Sequence, residues 1–93
     1  MKHAGEAGLI RIEALLLELG AIEGLVEKRP GVFYRKSAAF LHFHEDPSGI
    51  FADLRIGGEW RRLPVNTAAE RRRLVQMARD GVGVRDAGRI HRK

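Results

Sequence analysis

The chain has 93 residues, a formal charge of +5 and no cysteine. That length holds one small domain with a modest core, and the missing thiols exclude disulfide staples and cysteine-ligated zinc or iron–sulfur centres. No apolar run approaches the roughly 18–20 residues of a membrane span, so no membrane partner is expected. The opening MKHAGEAG lacks the basic start and continuous apolar block of a signal peptide, and with the absent cysteines this makes a bacterial cytoplasmic location the expectation.

Leu9, Ile12, Leu15, Leu16, Leu19, Ile22 and Val26 recur at helical spacing, which predicts a helix over residues 8–19. Gly20 and Gly24 weaken its continuation, so residues 20–29 read either as a short second helix or as an extended lead-in. Ile10 and Leu17 point away from the stripe, as a second contact surface or a partner helix would require.

From Val32 the period changes to two. VFYRK, AAFLHFHE, IFADLRI and EWRRLPV read as four strands, separated at Lys36-Ser37, at Asp46-Pro47-Ser48-Gly49 and at Gly57-Gly58. Such short separators imply an antiparallel meander. Thr67 and Glu70 then form a capping box, Leu74, Val75, Met77 and Ala78 supply a narrow apolar face, and Gly81 is the expected helix stop. The fold class is therefore α+β: a two-layer sandwich of N-terminal helix, four-stranded antiparallel meander and C-terminal helix. Both helices are expected on the Leu41/Phe43/Leu54/Leu63 face. Residues 1–84 make the domain, and 85–93 make a basic tail expected to be mobile. Residues 71–93 hold eight bases and two acids, against nine and ten in residues 1–70, so the excess positive charge is C-terminal. Such a tail can dock on phosphates or simply keep a chain end soluble.

Alternation fixes which side chains share the second sheet face. A register with Glu45 opposite Ile50 keeps both apolar sets on one side, and a one-residue slip would separate them. His44 then faces Phe51, His42 faces Asp53 and Phe40 faces Arg55; across the next turn Trp60 lies beside Arg55 and Arg62 beside Asp53. Phe33 and Arg35 are assigned to the same face, with Val32 and Tyr34 towards the core. The candidate binding residues are thus Phe33, Arg35, Phe40, His42, His44, Phe51, Asp53, Arg55, Trp60 and Arg62.

His42, His44 and Asp53 are also the types that ligate zinc or iron, but an Asp53–Arg62 pair competes for the carboxylate. The row reads as structural, and no metal or cofactor is expected. His42 and Asp53 are two parts of a nucleophile triad with no serine to complete it, since Ser37 and Ser48 are turn residues. The expected function is a non-enzymatic binding module. Aromatics interleaved with arginine suit single-stranded nucleic acid or a small anionic ligand, and a homodimer through the same face is the alternative.

The stretch LGAIEGLVEKRPGVFYRKSAAFLHF, with Gly20, Glu23, Gly31, Phe33 and Phe40, resembles the MmcQ/YjbR family of small bacterial proteins over about residues 19–78. The resemblance implies a frataxin-like sandwich with both helices on one sheet face and the other face open. Members are commonly labelled DNA-binding, and the family pattern brings no catalytic residues. The chain departs from it in its His-x-His and in its shortness.

Overall fold

The computed structural model describes residues 2–91, with the side chains of residues 3–83. In chain order the elements are β1 Lys2–His3, α1 Glu6–Arg11, α2 Glu13–Gly20, β2 Val26–Arg29, β3 Val32–Arg35, β4 Ala38–Asp46, β5 Gly49–Ile56, β6 Glu59–Pro64 and α3 Ala68–His91. The strands form one antiparallel sheet in the order β2-β3-β4-β5-β6, and β1 pairs with β4 at His44 and Glu45, past the positions paired with β3. This is the expected α+β architecture, with β1 and β2 added to the four strands read from the sequence.

The core lies between one sheet face and the helices. Leu41, Phe43, Ala52, Leu54, Leu63 and Val65 meet Ile12, Leu15 and Leu19 from the N-terminal helices and Leu74, Val75 and Ala78 from α3. The predicted register holds: Glu45 pairs with Ile50, His44 with Phe51 and His42 with Asp53, then Arg55 with Trp60 and Asp53 with Arg62. Glu45 is the one acid on the core side of β4. Its Oε1 accepts from the Gly5 amide at 2.6 Å, at the N-terminus of α1, so its charge meets a donor. The β4–β5 turn is closed by Asp46, whose Oδ1 accepts from the Ser48 amide at 2.8 Å and the Ser48 hydroxyl at 2.6 Å. Asn66 clamps the start of β5, accepting from the Ile50 amide at 2.9 Å and donating to the Ile50 carbonyl at 3.1 Å. The capping box forms as predicted. Glu70 N donates to Thr67 Oγ1 at 3.1 Å, while the Glu70 carboxylate accepts from the Thr67 amide at 3.1 Å and the Asn66 amide at 2.8 Å.

Three readings change. The first helix is two, α1 and α2, separated at the fully buried Ile12 (φ −114°, ψ 23°). Beyond α2 the chain turns at Gly24, whose φ of +101° few other residues adopt. Residues 26–29 then form an edge strand, so the extended alternative holds; Leu25 is buried and Val26 exposed. Ile10 and Leu17 are indeed exposed. Gly81 is no helix stop. It has no positive φ and sits inside α3, where an added Cβ would stand 3.3 Å from the Phe40 ring, so the glycine serves close packing. The side chains of the 85–93 tail lie outside the described residues.

The third change is a reversed strand face. Phe33 pairs with Leu41 but Tyr34 pairs with Ala39, which leaves Phe40 as the extra residue of a β-bulge. The bulge puts Phe33, Arg35 and Phe40 on the core side, all buried, and turns Val32 and Tyr34 to the other. Among the described residues, no helix is long and apolar enough to cross a membrane.

Candidate functional site

The face away from the helices gathers seven of the ten predicted residues. From β4 come His42 and His44, from β5 Phe51, Asp53 and Arg55, and from β6 Trp60 and Arg62. Phe33 and Phe40 are core residues instead. Arg35 is buried too, and its Nη2 donates to the Val82 carbonyl at 3.1 Å, which ties β3 to α3. The predicted Phe40–Arg55 pair does not form, because the bulge ends the β4–β5 ladder at Leu41–Leu54.

Asp53 is the hub. It is 7% exposed, and both its oxygens bind Arg62, Nε to Oδ1 at 2.8 Å and Nη2 to Oδ2 at 2.9 Å. This is the bidentate geometry in which an arginine–carboxylate pair is strongest. His44 Nε2 lies 2.8 Å from the same Oδ2, and His42 Nδ1 lies 2.9 Å from His44 Nε2. Burial alone would raise the Asp53 pKa. The Arg62 hydrogen bonds and charge, with the positive charge of His44 and His42 when protonated, outweigh it and hold the carboxyl below the usual range. The Arg62 guanidinium is correspondingly stabilised in its charged form by those hydrogen bonds to Asp53.

His42 is pushed the other way. Burial lowers its pKa first, and the neighbouring His44 lowers it further; Asp53 opposes them, while His3 and Arg62 add to them. The folded chain therefore favours neutral His42, while the unfolded chain takes up a proton near the ordinary value of about 6.5. The sign follows directly: stability is full above that value and falls as pH drops through it towards the folded pKa. In denaturant titrations between pH 7 and 5, His42→Gln should flatten this slope by less than the one-proton limit of about 1.4 kcal/mol per pH unit. An identical slope in the variant would show that His42 does not carry it.

Sequence reasoning missed His3. β1 is only two residues long, too short to show a period, yet its pairing places His3 opposite His44. The ring centroids of His3 and His44 are 4.8 Å apart, those of His42 and His44 4.8 Å, and those of His42 and Trp60 4.8 Å. Four rings thus lie in one cluster. Trp60 is the open end of it, 44% exposed, with the Arg55 guanidinium 5.8 Å from its ring centre.

Beyond Arg55 the surface drops into a groove of about 700 Å³ at the end of the sheet. Its floor includes Phe40, Ile56 and Met77, and Arg35, Arg55 and Arg61 line it. Arg61 lies on the same side of β6 as Leu63 and pairs with Leu54, yet it remains exposed at the sheet end, where it lines the groove. No family model, curated protein or solved structure matches the chain.

Proposed function

We propose that the protein is a non-enzymatic binding module of the bacterial cytoplasm that holds single-stranded nucleic acid along the Trp60 edge of its open sheet face. The observation that carries this reading is the exposed Trp60 indole with Arg55 over it, where Arg55 also lines the groove together with the exposed Arg61. An indole offers any base a stacking surface, and arginine beside it supplies both a cation for the phosphate and a planar group for the next base. Arg62 is committed to Asp53 through Nε and Nη2, so the reading rests on Arg55 and not on Arg62. The chain's formal charge of +5 favours a polyanion over a neutral ligand. Kinship with the MmcQ/YjbR proteins belongs to the same proposal, supported by helices on one sheet face and an open face opposite.

The test is fluorescence anisotropy of a labelled single-stranded oligonucleotide. Trp60→Ala should weaken binding by about 1–3 kcal/mol, roughly 5- to 150-fold, and leave the fold intact. Arg55→Ala should lower the slope of log affinity against log salt by about one. Unchanged affinity in Trp60→Ala, or no binding by the wild-type chain at low salt, would reject the reading.

A further inference from the structure

The geometry points to a transition-metal site on this face, formed by the imidazoles of His3, His42 and His44 with Asp53 Oδ2 as the adjoining oxygen donor. One ring nitrogen from each histidine lies within 4.8 Å of the other two. The three best-defined donor atoms, His42 Nδ1, His44 Nε2 and Asp53 Oδ2, form a triangle with sides of 2.9, 2.8 and 4.0 Å. Donors held about 2.0 Å from a tetrahedral ion stand about 3.3 Å apart, between the two short sides of this triangle and its long one. Small side-chain adjustments reach that spacing and bring in His3.

Proton counting favours a cation in the same place. His44 Nε2 carries at most one hydrogen, yet it makes short contacts with both His42 Nδ1 and Asp53 Oδ2. One proton cannot serve both along linear bonds, whereas an ion accepts a lone pair from all three atoms. His44 Nδ1 is buried without a hydrogen-bond partner among the described residues, so the polar role of this ring falls to Nε2. The Arg62 bonds fix the carboxylate plane, the kind of support that ordinarily orients a metal ligand. Three imidazoles and a carboxylate suit zinc, nickel, copper or iron, and a hard, oxygen-seeking ion such as magnesium would not choose them.

The test titrates the metal-free chain with cobalt(II) chloride and follows visible absorption together with Trp60 emission. No oligonucleotide is present, so its outcome is independent of the nucleic-acid reading. One equivalent should bind per chain, giving the absorption bands of tetrahedral cobalt, which zinc then removes. Trp60, the only tryptophan, has its ring centroid 4.8 Å from that of His42, and its emission should fall as the paramagnetic ion binds. His3 is exposed at the end of the sheet, so His3→Ala should keep the fold and lower affinity more than about 100-fold, beyond the 10- to 100-fold typical of a group that only supports a ligand. His44→Ala, which removes a donor, and Asp53→Asn, which replaces the carboxylate donor by a neutral amide, should lower affinity as far, and His91→Ala should change nothing. Absence of the bands, undiminished binding in His3→Ala, or binding lost in His91→Ala would overturn the site.

Discussion

Phe33→Ala is expected to cost about 3–5 kcal/mol, the range for removing a buried phenylalanine and leaving a cavity. Phe33 is 0% exposed and packs in the same cluster as Leu41, Phe43 and Leu54. For a chain of this size the melting temperature should fall by at least about 12 °C, since each kcal/mol moves it by about 4–8 °C. The comparison that gives the number meaning is Trp60→Ala, which removes a larger aromatic from the open face and should cost under about 1 kcal/mol. Urea unfolding followed by far-ultraviolet circular dichroism measures both without the tryptophan signal. If Phe33→Ala cost no more than Trp60→Ala, the bulge at Phe40 would be absent and β3 would face the other way.

Asp53→Ala is expected to cost about 2–3 kcal/mol. The change leaves His44 Nε2 without its carboxylate and strands the Arg62 charge beside two imidazoles. The cost stays below that of a fully buried ion pair because Arg62, about half exposed, can turn towards water. Arg62→Ala tests the same hub through pH. In the wild type the Asp53 pKa lies below its unfolded value, so its contribution is complete above about pH 4 and is lost as pH falls through the folded pKa. Without Arg62, burial becomes the governing influence and the folded pKa rises. Stability should then begin to fall at a higher pH than in the wild type. Matching acid limbs in the two proteins would mean that Arg62 does not set the Asp53 charge.

The histidine, aspartate and arginine row was legible because β4 and β5 alternate over their paired stretch and the two-residue Gly57-Gly58 turn carries their register into β6, so a slip would have cost the whole apolar face. That one constraint placed His42 opposite Asp53 and Asp53 opposite Arg62. β3 defeated the same logic. Its four residues read equally well in either sense, and the bulge that decides the sense rests on packing of Phe40 against Gly81 in α3, a contact 41 positions away. Gly81 itself read as a stop because a glycine that allows close approach and one that ends a helix look alike in a sequence. His3 left no pattern at all. Its place on the site is set wholly by strand pairing with β4, so the third imidazole became visible only in the folded chain.

The central claim is that the face carrying Trp60 is open to solvent and available to a ligand, and Trp60 emission tests it most directly. Acrylamide quenching and emission wavelength should be recorded over a wide range of protein concentration, since the chain has one tryptophan. Red-shifted, readily quenched emission at every concentration is the predicted result. Emission that moves to the blue as concentration rises would show two copies pairing through the face, and blue, protected emission throughout would show it covered; either result would contradict the claim.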